Sequence, residues 1–447
     1  MKLAAILRVL SLAVGLSACA SHSDRTQAIR SALDAGDAQR ALGLVNERLD
    51  VKSEKELPSD SGSEKSLYLL DRAMILQQLE KYELSSRDLE AADKQIDMLD
   101  LSRNAGDSLG KYLFSDDVGR YRAPPYEKLL INTENMVNYL ARGDLNGARI
   151  EARRLAVVQK YVKEREDPAR ALTGAGSYLA GFTFEKSGKV DEALRYYDDA
   201  LETGEFASLA TPIKRLLART GGGSARLRAL AAKSQEPEVD QTGEVLVLIE
   251  FGRVPYKIAQ RVPIGLALTY VSGALSPEDH RRANYLAAQG LVTWVNYPEL
   301  GPSQGTVGVP HCKVDGEKVE LEAMASIDVE AKHAWKDAKG AVVASAITRM
   351  LTRVAVGEGI RQGGKAAGKD GALIGALLSL GAQATLTATD TPDTRSWEAL
   401  PARMAVTRIA LKPGSHKIEL AVRGVKKTQT VEIEPGGFQV VSHTVLF

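Results

Sequence analysis

The chain has 447 residues and a formal net charge of +1, which gives it no electrostatic footprint for nucleic acid or for a strongly charged substrate. Its length allows two or three domains at about 100–200 residues each. Aromatic side chains make up only 5% of it and alanine is abundant, a balance that favours helices packed through small residues.

The first residues read as a secretory signal. Lys2 and Arg8 supply positive charge, Val9 to Leu16 form an apolar run, and Ser17 and Ala18 are small. The run is short of the roughly 20 apolar residues that span a bilayer. Leu16-Ser17-Ala18-Cys19 resembles the bacterial lipobox. That resemblance implies removal of residues 1–18, a thioether-linked diacylglycerol on Cys19, and acylation of the new amine. Residues 19–23 would then be a lipidated tether. An ordinary cleaved signal with an incidental cysteine is the alternative. Several acyl chains, each contributing about 0.8 kcal/mol per buried methylene, make a durable anchor. Ala20 after the cysteine resembles outer-membrane sorting, so the expected location is the periplasmic face of the outer membrane.

From Asp24 to about Leu217 the pattern is helical and repeats. The clearest unit runs Tyr178-Leu-Ala-Gly181-Phe-Thr-Phe184, then Gly188-Lys-Val190, Ala193, Tyr197 and Ala200. It resembles a tetratricopeptide repeat (TPR), with Gly181 and Ala193 at a helix crossing and Gly188 at the turn. Weaker units place Met136, Tyr139, Gly143, Leu145, Ala148 and Ala152, then Ala73, Leu76, Tyr82, Ser85, Leu89 and Ala92, and finally Ala32, Gly36, Ala38 and Ala41, at matching positions. Generic amphipathic hairpins would give a similar pattern. The units stand further apart than the usual repeat of about 34 residues. Insertions at Lys52 to Lys65 and Leu99 to Asn132 separate them. The second carries Asp116-Asp117 and Ala123-Pro-Pro-Tyr126-Glu127-Lys128, whose proline pair forces an extended approach to a helix beginning near Tyr126.

The stretch Ser115 to Arg154, with Tyr126-Glu-Lys-Leu-Leu-Ile-Asn132, Asn135-Met-Val-Asn138 and Gly143-Asp144, resembles an uncharacterised bacterial family of TPR-containing envelope lipoproteins. The likeness continues in Thr394-Arg395-Ser396-Trp397-Glu-Ala-Leu400-Pro401. Members are often encoded beside a lipoprotein activator of penicillin-binding proteins, which implies work on the envelope or cell wall. The resemblance carries no enzymatic activity.

A polar linker over 221–242 follows, with Gly221-Gly-Gly-Ser224 and Pro237. The region 243–447 then reads as a mixed αβ domain. Strands are expected at Glu244 to Phe251, at Val262 to Tyr270, and on either side of an Asp315-Gly316 turn. Four more fall at Ala405 to Leu411, His416 to Val422, Thr428 to Ile433 and Phe438 to Leu446, as a meander or small sandwich. Between them lie two apolar segments, Ala341 to Val356 and Gly371 to Leu386. They read as a buried helical hairpin on the C-terminal sheet, or as segments that enter a bilayer. The fold class is therefore α+β, with a TPR-like helical domain over 24–220 and a C-terminal αβ domain with antiparallel strands and an apolar helical hairpin.

No catalytic constellation emerges: there is no His-Glu-x-x-His, Gly-x-Ser-x-Gly or Walker pattern. With Cys19 lipidated, Cys312 is the one thiol left, so no internal disulfide is expected. His311 and Cys312 point to opposite faces of a strand and have no second ligand pair, so no metal or other cofactor is expected. Asp116-Asp117 reads as a solvated or capping pair.

Recognition surfaces are the better candidates. Repeat alignment places Gln77, Gln78, Tyr178, Phe182 and Glu185 on the groove face of a TPR array. Asn135 and Asn138, poor helix formers in mid-helix, serve a specific hydrogen bond, either internal to the Pro-Pro loop or to a partner. Arg395 and Trp397 are either an exposed recognition pair or a lock between the apolar hairpin and Leu400-Pro401. The expected function is a non-enzymatic scaffold, lipid-anchored and binding other envelope proteins through its repeats. The alternative is a membrane-active or transport role for 341–386.

Overall fold

The computed structural model describes residues 20–60, 62–96, 121, 123–164, 172–234, 242–271, 273–289, 293–366 and 391–447; side chains are not described at 63, 353 and 355–366. Cys19, Asp116-Asp117 and Gly371 to Leu386 lie outside the described residues.

Five helical hairpins follow one another. They pair Gln27–Asp34 with Ala38–Leu49, Ser63–Gln78 with Tyr82–Asp93, and Pro125–Ala141 with Leu145–Glu164. The last two pair Thr173–Lys186 with Val190–Ala200 and Ala210–Thr220 with Ala225–Ala231. Each first helix ends on a residue in the left-handed region: Gly36, Glu80, Gly143, Gly188 and Gly221, with φ of 74°, 60°, 72°, 71° and 69°. Glycine suits that conformation because it has no Cβ to clash with the following carbonyl. Where the turn demands it, a capping side chain opens the next helix, as Asp37 does by accepting from the Arg40 amide at 2.9 Å. Small residues set the crossings. A Cβ on Gly181 would lie 2.4 Å from the Tyr197 ring, and one on Gly147 would lie 2.2 Å from the Tyr139 ring. Pro125 occupies the first turn of its helix, where a missing amide hydrogen costs nothing.

Ten strands follow. β1 (Gly243–Phe251), β7 (Arg403–Leu411), β10 (Phe438–Val445) and β6 (Glu322–Ser326) form a sheet in the order β10-β1-β7-β6. β1 runs parallel to β10 and antiparallel to β7. A second, antiparallel sheet has the order β5-β4-β8-β9, from β4 (His311–Val314), β5 (Glu317–Val319), β8 (Gly414–Val422) and β9 (Val425–Ile433). The Asp315-Gly316 turn joins β4 to β5 with φ of 52° and 91°, as a type I′ hairpin turn requires. β2 (Lys257–Pro263) and β3 (Trp294–Leu300) form a separate antiparallel pair.

The period of two along β1 sorts its side chains between two cores. Val245, Val247, Ile249 and Phe251 meet Cys312, Ile418, Leu420 and Val431 of the second sheet. Leu246 and Leu248, with Val406 and Val440, join the core of the helical hairpins, which extends back to Ile29. The molecule is thus layered as helices, first sheet, second sheet. Of the stretch 221–242 expected as a polar linker, Ala225–Ala231 is a helix whose Leu227, Leu230 and Ala231 lie in the same hydrophobic core as Leu246 and Leu248 of β1.

Several expectations change here. Of the tether expected over 19–23, the described residues are not free chain: Ser21, His22 and Ser23 are buried. The strand expected at Val262 to Tyr270 instead ends at Pro263, where the chain turns into helix Ile264–Ala267. Of the four C-terminal strands, only β8 and β9 form a hairpin; β7 and β10 go to the other sheet, with β1 between them. The Ala341 to Val356 segment belongs to one 40-residue helix, Ile327–Ala366. Its Trp335, Ala338, Val342, Val343, Ala346, Ile347 and Met350 pack with Val295 and Tyr297 of β3 and Ala283 of helix Pro277–Ala288. The 335–350 stretch thus lies on a satellite core, while the start of the helix joins the first sheet through Ile327, Ala331 and the Asp328–Arg403 ion pair. Among the described residues no helix is long and apolar enough to cross a membrane.

Candidate functional site

The helix face assigned to a binding groove lies against the first sheet. Gln77 is buried, and its Nε2 donates to Glu250 Oε2 of β1 at 2.5 Å and to Glu134 Oε2 at 3.1 Å. Gln78 Oε1 accepts from the Leu446 amide at 2.9 Å. Phe182 meets Phe438 edge-to-face, with ring centroids 5.6 Å apart. Tyr178 is buried between Tyr197 and Phe206, and its hydroxyl lies 2.9 Å from Ser208 Oγ. Glu185 accepts from Arg408 of β7 at 2.9 Å and from the Tyr197 hydroxyl at 2.5 Å. The groove reading of these five residues is therefore corrected. Gln77, Phe182 and Glu185 meet strands of the first sheet, Gln78 meets Leu446 just after β10, and Tyr178 packs on Tyr197 and Phe206, so all five are engaged within the chain.

Arg408 organises one end of this seam. It is 2% exposed, lies 5.0 Å from the Phe182 ring centroid, and pairs with both Glu185 and Glu244. Lys186 also pairs with Glu244. Burial pushes the Glu185 carboxyl up, but Arg408 and Lys186 outweigh it and hold its pKa at about 2. Glu244 is lowered by the same two cations against the same burial.

At the centre of the seam the charges are of one sign. Glu134 and Glu250 are fully buried, hydrogen-bonded to each other, and share Gln77 Nε2. Thr444 Oγ1 donates to Glu250 Oε2 at 2.8 Å. Burial pushes both carboxyls up, and Glu250 adds repulsion at Glu134. Two carboxyls in contact without a cation hold a proton between them.

A third cluster joins the two ends of the sequence resemblance. Residues 392–402 have no regular structure and are buried throughout. Such a segment needs side chains to satisfy its backbone. Glu127 accepts from the Trp397 amide at 3.2 Å and from the Tyr121 hydroxyl at 2.5 Å. Asp71 accepts from the Ala399 amide at 2.8 Å. Thr394 Oγ1 accepts from the Ser23 amide at 3.0 Å, and Lys257 Nζ donates to the Arg395 carbonyl at 2.9 Å. Arg30 pairs with Glu398 at 2.7 Å, and Arg395 makes a two-pronged contact with Asp393 at 2.8 Å. Burial pushes the Asp71 carboxyl well up, helped by Glu398, and pushes Lys257 down.

Arg395 and Trp397 are buried, 2% and 0% exposed, and among the described residues they lock onto helix Pro125–Ala141 and β2. Asn138 makes its bond internally, to Ser85 Oγ at 2.8 Å, and not to the Pro-Pro loop. The companion Asn132 donates to Glu151 at 2.8 Å. His311 is exposed, whereas Cys312 faces the sandwich core, where burial pushes its thiol up to about 11. Among the described residues no group of three or more His, Cys, Asp and Glu side chains is placed to hold a metal ion.

Sequence reasoning missed Arg408, Glu244 and Glu250. The available signal was a charged residue at an alternating position in an otherwise apolar strand. These clusters are buried and join helices to strands, through opposite charges at Arg408 and through hydrogen bonds at Glu134 and Glu250. Comparison with family models, curated proteins and solved structures finds no match.

Proposed function

We propose that the protein is a lipid-anchored scaffold of the bacterial envelope, held by Cys19 at the periplasmic face of the outer membrane. It presents a rigid outer surface to other envelope proteins. The observation that carries this reading is the filled seam. The buried and perturbed carboxyls described above are spent on joining helices to sheet, which suits a body that positions partners. The hairpin turns and the Gly181 crossing support a TPR-like character for the helical array. The resemblance to TPR-containing envelope lipoproteins supports the location and class. Partners then dock on outer faces of the hairpins, since the inner face is occupied.

Photocrosslinking in cells tests this. A crosslinker is placed at the exposed outward positions Ile150 and Val157 of helix Leu145–Glu164, and at exposed Lys426 and Thr430 on β9. Discrete adducts with envelope proteins from the helical positions support the scaffold. An absence of adducts at all four positions, with the protein at its native level, contradicts it. The membrane-active alternative gains no support from the described half of its segment, because the apolar face of that helix packs on β3.

A further inference from the structure

The folded body begins immediately after the anchor position. The Ala20 carbonyl accepts from Arg25 Nη1 at 2.5 Å. Ser21 caps the short helix His22–Arg25 reciprocally with Asp24. His22 is 1% exposed, stacks on Tyr68 with ring centroids 5.5 Å apart, and places Nδ1 3.1 Å from Glu64. The Ser23 amide binds Thr394, and the Ser23 carbonyl accepts from Arg30 at 2.6 Å. His22 is therefore pinned to the second hairpin and Ser23 to the buried 392–402 segment, while Ala20 and Ser21 are held locally by Arg25 and Asp24.

Resting on the reading of Cys19 as lipidated, we infer that this end of the molecule is a membrane-apposed face, seated on the lipid headgroups with no flexible linker. One residue spans at most about 3.6 Å, so the acyl chains hang directly from a fixed point of the fold. The accessible part of this face is Asp24 and Gln27 beside Ala20 and Arg25, with Glu64 and Lys65 at the start of helix Ser63–Gln78, while Ser21 to Ser23 and Thr394 to Glu398 lie buried behind it. Its accessible cations are paired, Arg25 with Glu64 at 2.7 Å and Lys65 with Asp60 at 2.6 Å, and Asp24 accepts from Ser21, so the face offers no free positive charge to anionic lipid. Apposition is thus imposed by the tether and not by attraction to anionic lipid, and it is insensitive to salt. Each hairpin packs on the next in chain order. At roughly 10 Å per layer the fifth hairpin stands about 40 Å along the stack. The array rises from the bilayer, and partners are met at a set height rather than within the sweep of a mobile arm.

The test uses the full protein, purified with its lipid and inserted into phosphatidylethanolamine–phosphatidylglycerol vesicles that carry a headgroup nitroxide. Mass analysis of the N-terminal peptide comes first: a Cys19 without acyl groups refutes the anchor reading and this inference with it. On acylated protein, in a Cys312→Ser background, a fluorophore is attached through Gln27→Cys or Lys233→Cys. Gln27 lies about 10 Å from Ala20 along two helical turns. The expected result is quenching of at least twofold at Gln27 and none at Lys233, unchanged by salt. A twelve-residue Gly-Ser insertion after Ala20 should abolish the quenching. Unquenched Gln27, equal quenching at both sites, or indifference to the insertion overturns the inference while leaving the anchor itself in place.

Discussion

Arg408 of β7 and Glu185 of the fourth hairpin form an ion pair that ties the sheet to the helices, with contacts of 2.9–3.1 Å through both guanidinium Nη atoms. The same guanidinium engages Glu244, so one buried cation neutralises two carboxylates drawn from different layers. Arg408→Met leaves both carboxylates buried with Lys186 as their remaining cation. Breaking a buried pair by removing one partner costs about 3–5 kcal/mol. The expected outcome is an unfolding free energy lower by that amount, read from a lower urea midpoint at unchanged slope. A double-mutant cycle of Arg408→Met with Glu185→Gln should show strong coupling, whereas additive losses would mean that the pair contributes nothing of its own.

The two carboxyl clusters titrate in opposite directions. The folded pKa values of Glu134 and Glu250 lie above the ordinary 4.5. The stability they confer is complete below that value and is lost as pH rises through the folded values. Glu185 sits at about 2, so its contribution is complete above 4.5 and is lost as pH falls through about 2. Glu134→Gln should therefore flatten the decline in stability on the alkaline side and leave the acid limb intact. Glu185→Gln should do the reverse. Denaturation midpoints measured across the pH range decide it; parallel shifts of both variants at every pH would contradict the assignment.

Two glycines in helices predict opposite signs for the same substitution. Gly43 lies inside helix Ala38–Leu49 with nothing within 4 Å of an added Cβ. Gly43→Ala should stabilise by about 0.5–1 kcal/mol through helix propensity. At Gly181 the added Cβ meets the Tyr197 ring, and overpacking of this kind costs about 1–3 kcal/mol. Thermal unfolding of the two variants should move in opposite directions. A stabilised Gly181→Ala would mean that the crossing is looser than the geometry shows.

Trp397 has no exposed surface and sits where the 392–402 segment meets Glu127. Trp397→Ala should cost about 3–5 kcal/mol and expose the segment to proteolysis. Glu127→Gln keeps the shape but weakens the acceptor for the Trp397 amide, and should have a smaller effect of the same sign. Limited proteolysis that cuts wild type and Trp397→Ala equally would contradict the lock.

Much of the local architecture was legible in the sequence, because its causes are local. Gly36, Gly143 and Gly188 announce hairpin turns, Asp315-Gly316 announces a β-turn, and Pro413-Gly414 and Pro435-Gly436 bound strands. The long-range relationships were not. β1 pairs in parallel with β10 across most of the chain, and no turn residue signals a partner that far away. The repeat pattern placed Gln77, Phe182 and Glu185 on the inner face of the array, but it could not say that the chain's own sheet would cover that face. The charges at Glu244, Glu250 and Arg408 were visible as breaks in apolar strands. Their meaning depended on which helix lay opposite.

Hairpins and first sheet pack as one block around a shared hydrophobic core. Native-state hydrogen exchange over a series of sub-denaturing urea concentrations tests it most directly, comparing amides of helix Thr173–Lys186 with those of Leu246 to Glu250 in β1. Both sets should converge on the same opening free energy and the same denaturant slope, as parts of one cooperative unit. Helical amides that open along a separate, weaker isotherm while β1 stays protected would contradict it.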